Sequence, residues 1–153
     1  MKKSLLIVLA LIASVPFSIA QKKAFTVADL YRVKSIEDPQ FSPDGKAIVY
    51  VLGESLLEEG RSHTEIYLMD ADGSNIRQLT NNSASSYHPR WSPDGKVLLF
   101  LSTRKNGAQV WLLPVTGGEP RQLTDISTGV DNPVWSPDGK RIAFSSDVYP
   151  ECG

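Results

Sequence analysis

One six-residue pattern occurs three times in this chain of 153 residues. An aromatic residue is followed by Ser-Pro-Asp-Gly-Lys at residues 41–46, 91–96 and 135–140. Proline sets φ for the second position of a tight turn, aspartate tolerates the third, and glycine accepts a positive φ. Strand-like segments flank each copy, so each predicts the turn of a β-hairpin. Equal copies indicate an internal repeat, which largely determines the architecture.

The second and third copies are separated by a fixed distance along the chain. Gly95 and Gly139, the glycines of these turns, are 44 residues apart. An Arg-Gln-Leu-Thr segment recurs at the same spacing, at residues 77–80 and 121–124. The register is kept through the whole unit, so the repeat is 44 residues long.

The first unit is longer than the second. Gly45 and Gly95 are 50 residues apart, so the first unit carries six additional residues. They fall around residues 53–64, between two predicted strands. We interpret the segment Leu56-Leu57-Glu58-Glu59 as a solvated loop on the rim of the fold.

Each unit predicts four short strands. The segment 97–101 is almost continuously apolar, which is typical of a strand buried on both faces. Repeated units of four strands in about 40–45 residues are the signature of a β-propeller blade. We therefore predict an all-β fold, a partial β-propeller of about two and a half blades over residues 39–153. The strands predicted in the middle unit are 87–91, 97–102, 109–115 and 120–124.

The repeated residues are predicted to be structural. The aromatic residues should pack between adjacent sheets, and the aspartates are placed for turns rather than for metal coordination. No metal site and no cofactor are predicted. The residues of this structural repeat are Phe41, Asp44, Gly45, Trp91, Asp94, Gly95, Trp135, Asp138 and Gly139.

Residues 1–20 have the layout of a secretory signal peptide. A short basic head precedes an apolar run at residues 4–15, and small residues stand before Gln21. The run is shorter than the roughly 20 residues that a spanning helix needs, which disfavours the alternative of a membrane anchor. We expect cleavage after Ala20, a periplasmic or secreted protein, and no membrane association after cleavage.

Residues 21–38 are predicted to form an N-terminal extension. Thr26 and Asp29 have the spacing of a capping box, which predicts a short helix over 27–34, packed on the propeller rim or on another domain. The mature chain has no basic stripe, which excludes nucleic acid as an expected partner. The single cysteine, Cys152, predicts a free thiol or a disulfide to a partner outside this sequence.

The turns resemble the propeller repeats of TolB-type periplasmic proteins and of prolyl oligopeptidase-type serine peptidases. Residues 25–30 with 38–46, and the ending at 145–153, are similar to segments of exported dipeptidyl or acylaminoacyl peptidases. In that family the propeller covers a C-terminal α/β-hydrolase domain with a Ser-Asp-His triad. The resemblance implies a propeller that gates the access of peptide substrates to such a domain. The alternative that it leaves open is a TolB-like, non-enzymatic module that binds a periplasmic protein.

No catalytic residue is predicted in this chain. The Gly-x-Ser-x-Gly elbow of the hydrolase domain is absent from the sequence. His63 and His88, the two histidines, are expected to be surface or turn residues, so the chain alone should not be an enzyme. A closed propeller needs at least about four blades, so we expect an N-terminal fragment of a longer polypeptide. Assembly of a ring from several chains is the alternative.

Overall fold

The computed structural model describes residues 24–148. The predicted signal peptide at residues 1–20 and Cys152 lie outside the described residues. The described part contains one short helix, ten strands and a 3-10 turn at Leu57–Glu59. The elements are α1 (Val27–Leu30), β1 (Ser35–Phe41), β2 (Ala47–Leu56), β3 (Arg61–Asp70), β4 (Arg77–Gln78), β5 (Ser86–Trp91), β6 (Val97–Ser102), β7 (Gln109–Pro114), β8 (Arg121–Gln122), β9 (Asp131–Trp135) and β10 (Ile142–Ser145).

The strands form three antiparallel sheets. The first has the order β1-β2-β3-β4 and the second the order β5-β6-β7-β8, while β9 and β10 begin a third. We call these sheets blades 1, 2 and 3. Consecutive strands are neighbours in each four-stranded sheet, as expected for a propeller blade. The predicted all-β, partial propeller is therefore confirmed.

The outer strands of the blades are shorter than the sequence predicts. β8 contains only Arg121 and Gln122, although strand 120–124 was expected. The backbone N–H of Val110 donates to the side-chain hydroxyl of Thr124, at 2.9 Å, rather than to a backbone carbonyl. The regular backbone hydrogen bonding between β7 and β8 ends where the Thr124 hydroxyl replaces a backbone carbonyl as the acceptor.

Within the insertion of blade 1, only the turn at Leu57–Glu59 is the exposed loop that the sequence predicts, and the other additional residues do not form a loop. They lengthen a hairpin, because β2 and β3 pair continuously from Ala47 opposite Asp70 to Leu56 opposite Arg61. The equivalent strands of blade 2 are six residues long, against ten here. Gly60, at φ 62°, closes the hairpin after the 3-10 turn. The insertion satisfies its own backbone hydrogen bonds and thereby forms regular structure.

The helix is shorter than the predicted span of 27–34. Its start follows the expected capping arrangement, since the backbone N–H of Thr26 donates to the Asp29 carboxylate at 2.9 Å. It ends at Leu30, because the chain must extend before Ser35 enters β1 opposite Gly53. No residue of α1 is buried, although Leu30 lines a pocket together with residues of β2 and β3.

The core lies between the blades, and blade 2 contributes to it from both faces. Phe100 and Leu98 pack against residues of blade 1, whereas Leu99 and Leu101 pack towards Trp135 of blade 3. β6 is buried along most of its length, as its apolar sequence predicts. Within residues 24–148, no helix has the length and apolar character needed to cross a membrane.

Candidate functional site

The three Ser-Pro-Asp-Gly turns share one hydrogen-bond pattern. In blade 2, the Ser92 hydroxyl donates to the Asp94 carboxylate at 2.7 Å, and the Lys96 N–H donates to the same oxygen at 3.1 Å. The N–H of Val97 donates back to the Ser92 hydroxyl at 3.0 Å. The serine hydroxyl, followed by the lysine backbone N–H, lowers the pKa of the aspartate in each turn. Each carboxylate is therefore occupied in fixing its own turn.

Tryptophan joins the first strands of blades 2 and 3 to the first strand of the preceding blade. The first strands β1, β5 and β9 are neighbours, and we call them the inner strands because they lie at the same edge of their blades. The indole N–H of Trp91 donates to the Gln40 carbonyl at 3.2 Å, and that of Trp135 donates to the Arg90 carbonyl at 3.3 Å. Phe41, at the equivalent position of blade 1, has no such donor. It is 66% exposed, because no described blade precedes it.

The turns also stack from blade to blade. A Cβ built on Gly95 would lie 3.5 Å from Pro43 Cδ, and one built on Gly139 would lie 3.5 Å from Pro93 Cδ. Both glycines have positive φ, so a side chain would also strain the backbone. Each turn glycine therefore combines the required conformation with a close approach to the preceding proline.

A second repeated feature was not recognised from the sequence. Asp38, His88 and Asn132 each have φ between 48° and 59°, and each precedes a proline in an inner strand. A left-handed conformation is uncommon outside glycine, although Asp, Asn and His tolerate it best. Strand pairing shifts at the same places in blades 1 and 2. The sequence signal was present, because each residue lies seven positions before its turn glycine.

The bulge of blade 1 carries an ion pair to blade 2. Nη1 of Arg90 lies 2.6 Å from a carboxylate oxygen of Asp38, and each side chain is 27% exposed. The Gln40 side chain donates to the other Asp38 oxygen at 2.8 Å. In blade 3 the position of Arg90 is occupied by Val134, whose uncharged side chain cannot form an ion pair. Of the two seams that residues 24–148 form, only the one between blades 1 and 2 therefore has this ion pair.

An open groove of about 310 Å³ runs over the inner strands at their turn end. Its walls combine aromatic rings and turn prolines from successive blades, with Arg90 at its edge. We call it the inner-strand groove. It places apolar rings beside a few polar groups on one accessible surface. Its repeat-derived wall residues are Phe41, Trp91, Pro93, Trp135 and Pro137.

His63 is not the surface or turn residue that the sequence predicted. It lies within β3, its side chain is 13% exposed, and its Nε2 is 3.2 Å from Oε1 of the buried Glu65. Glu65 also accepts hydrogen bonds from the Thr80 hydroxyl and from the Asn82 N–H. In blade 2, Gln109 occupies the place of Glu65 and accepts equivalent bonds. The recurrence of the Thr and backbone N–H bonds in both blades indicates a structural role for Glu65 and Gln109.

Nδ1 of His63 is buried and makes no hydrogen bond within residues 24–148. Over the same range, no three or more His, Cys, Asp and Glu side chains are grouped so that they could hold a metal ion. His88, the other histidine, is partly buried in the bulge of β5.

Repeated antiparallel blades, joined through their inner strands, define a β-propeller domain. The chain belongs to the TolB β-propeller family, whose sequence model, described as the TolB beta propeller domain, matches residues 18–149.

Relatives of this chain include peptidases. It is 38% identical over 87 residues to the uncharacterized peptidase YuxL of Bacillus subtilis. This match covers 57% of this chain and 13% of that protein. It is 32% identical over 74 residues to dipeptidyl-peptidase 5 of Porphyromonas gingivalis. This match covers 48% of this chain and 11% of that protein. The chain thus matches a small part of each of these peptidases.

A solved propeller supports the same fold. The structure of a putative TolB from Agrobacterium tumefaciens has a TM-score of 0.61 and 30% sequence identity. The match covers 75% of this chain and 39% of that chain.

Proposed function

We propose that this chain is the propeller portion of an exported serine peptidase and controls which peptides reach a hydrolase domain of the same polypeptide. The observation that carries the proposal is its similarity to YuxL and to dipeptidyl-peptidase 5. Since the matches cover 13% and 11% of those proteins, most of each relative lies outside the match. The catalytic chemistry is assigned to such a region and not to residues 24–148.

The geometry favours a rigid filter over a moving gate in this part of the ring. Parting blades 1 and 2 at their inner strands would break the Arg90–Asp38 ion pair and the bond from Trp91 to Gln40. It would also open the apolar cluster around Phe100 to water. Such a separation is costly because buried apolar surface contributes about 25 cal/mol per Å². Peptides would therefore be selected by the fixed width and polarity of the inner-strand surface.

Export is part of the proposal. It rests on the basic head, the apolar run and the small residues before Gln21. A periplasmic or secreted enzyme of this kind would act on peptides outside the cytoplasm.

A TolB-like module that binds a protein is the second candidate. The 30% identity with a putative TolB structure favours it. In this case the inner-strand groove would contact the partner protein, with Arg90 supplying a charge beside the apolar walls. Both candidate functions use the inner-strand surface for binding. They differ in whether the complete polypeptide hydrolyses peptides or only binds a protein.

The test is the activity of the complete polypeptide encoded with this chain. Hydrolysis of a dipeptidyl or acylaminoacyl reporter would support the peptidase, and a complete product without hydrolase activity that captures a periplasmic protein would favour the binding module. The filter is tested with Arg90→Ala, with Lys96→Ala, an exposed turn residue, as the matched control. We expect only the Arg90 variant to change the ratio of long-peptide to short-peptide hydrolysis. An unchanged ratio would contradict the filtering role while leaving the peptidase assignment intact.

A further inference from the structure

The loop between β6 and β7 contains an asparagine followed by glycine. Asn106 and Gly107 are both exposed, with φ values of 21° and 74°. The Asn106 carbonyl accepts a hydrogen bond from the Gln109 side chain at 3.0 Å. Within residues 24–148, neither the Asn106 carboxamide nor the Gly107 N–H takes part in a hydrogen bond. The two groups that an intramolecular reaction would join are therefore unprotected.

We propose that Asn106 is a site of spontaneous deamidation and backbone isomerisation. Base removes the Gly107 amide proton, and the nitrogen attacks Cγ of Asn106. The new N–Cγ bond forms as the bond to the carboxamide nitrogen breaks, and ammonia leaves. Water then opens the resulting cyclic imide at either carbonyl, which gives aspartate or isoaspartate. No enzyme or cofactor is needed, and the absence of a side chain on Gly107 lets its nitrogen approach.

The other asparagines are protected by their neighbours. Asn132 precedes Pro133, which has no N–H to react. The side chain of Asn75 is held by Asp70 at 2.7 Å, and a branched residue follows it. Asn81 is followed by Asn82, whose backbone N–H is bound to Glu65 at 2.9 Å. The Asn82 side chain is itself bonded, since its oxygen accepts from the Ala84 N–H at 2.9 Å.

The Asp-Gly pairs of the chain are also protected, although the same ring closure is open to aspartate. The glycine N–H following each aspartate is already bonded, as in Gly95 to the Ser92 carbonyl at 2.8 Å. Gly45, Gly73 and Gly139 make equivalent bonds of 2.8 to 2.9 Å. Ring closure from aspartate also needs a protonated carboxyl group, which the low pKa of these aspartates disfavours. Asn106-Gly107 thus differs from every Asp-Gly pair by its unbonded glycine N–H.

The modification would reach the seam between blades 2 and 3. Isoaspartate adds a carbon to the backbone and a negative charge at residue 106. Gln109 is fully buried, and it ties this loop to the Ile126 carbonyl by a bond of 2.7 Å. Gly107 also lies close to Gly129, at the start of blade 3, since a Cβ on Gly107 would be 3.7 Å from Gly129 Cα. A displaced loop would therefore loosen the Gln109 network and the packing of blade 3.

The test is peptide mapping by mass spectrometry of the complete purified polypeptide after storage at mildly alkaline pH. We expect the Asn106 carboxamide to be lost several-fold faster than those of Asn75, Asn81 and Asn82, with aspartate and isoaspartate both formed. Loss at Asn106 that is no faster than at Asn81 or Asn82 would overturn the proposal. The same measurement in denaturant gives a second test. Unfolding should increase the deamidation rate of the protected asparagines by a larger factor than that of Asn106. Equal acceleration at all sites would contradict the protective role of the fold.

A variant separates charge from backbone change. Asn106→Asp introduces the charge without the additional carbon. If isoaspartate displaces the loop, the aged wild-type protein should melt at a lower temperature than freshly prepared Asn106→Asp. Equal melting temperatures would refute the proposed effect on the seam between blades 2 and 3. Gly107→Ala should slow the reaction, provided that its melting curve shows a folded protein.

Discussion

Replacing Trp91 by phenylalanine tests whether the inner strands are joined by the indole–carbonyl bond. The substitution removes the N–H that donates to Gln40 and keeps an aromatic ring at the position. Phe41 shows that phenylalanine occurs at this place in the repeat. A net hydrogen bond is worth about 1 kcal/mol. The smaller ring also leaves unfilled volume in the cluster to which Trp91 belongs, so we expect a loss of about 1–2 kcal/mol in the free energy of unfolding.

The measurement is denaturant unfolding followed by tryptophan fluorescence and circular dichroism. For a domain of this size, a loss of 1 kcal/mol lowers the melting temperature by about 3–5 °C. Phe41→Trp is the matched control, because it adds an indole N–H where no described blade supplies an acceptor. We expect its unfolding midpoint to stay close to that of the wild type.

Two results would refute the reasoning. An unchanged midpoint for Trp91→Phe would show that the bond to Gln40 contributes nothing measurable. A gain of stability in Phe41→Trp similar to the loss in Trp91→Phe would show that ring size, rather than the bond to the preceding blade, decides the effect.

Three further substitutions have defined outcomes. Arg90→Ala should cost about 1–2 kcal/mol by removing the half-buried pair with Asp38, and a double-mutant cycle with Asp38→Ala measures the coupling. Glu65→Gln should leave the melting temperature nearly unchanged, because Gln109 makes the equivalent bonds in blade 2; a large loss would show that the carboxylate itself is required. Ser92→Ala removes the main cause of the lowered Asp94 pKa. A carboxyl group whose pKa is lower in the folded than in the unfolded state stabilises the fold at pH values above its unfolded-state pKa. This stabilisation is lost as the pH falls through the folded-state pKa. The Ser92→Ala variant should therefore lose less stability on acidification than the wild type, as measured by melting at several acidic pH values. Equal acid sensitivity would contradict the assigned role of the Ser92 hydroxyl.

The blade architecture could be predicted because its signals are local and repeated. The Ser-Pro-Asp-Gly sequence specifies one turn through the conformational limits of its own residues, and its spacing then fixes the blade length. The buried strand β6 followed from its apolar run for the same reason. These features depend on short segments whose preferences agree with the final fold.

The features that were missed depend on pairing across the structure. The insertion of blade 1 reads as a loop from its composition, yet it becomes a hairpin because its two halves pair in register from Gly53 opposite Thr64 to the tip. The burial of His63 follows from that pairing and from the position of Glu65. By contrast, the bulges at Asp38, His88 and Asn132 had a visible signal, a polar residue before proline at a constant distance from the turn. Only the structure showed that this pattern corresponds to positive φ.

The ties between inner strands have a direction. Trp91, Trp135 and Arg90 all donate to groups of the preceding blade, and the turn glycines rest on the preceding prolines. During synthesis, the chain emerges from its N-terminus and domains begin to fold in that order. In each of these ties between inner strands, the accepting group therefore lies in the part of the chain that is synthesised first.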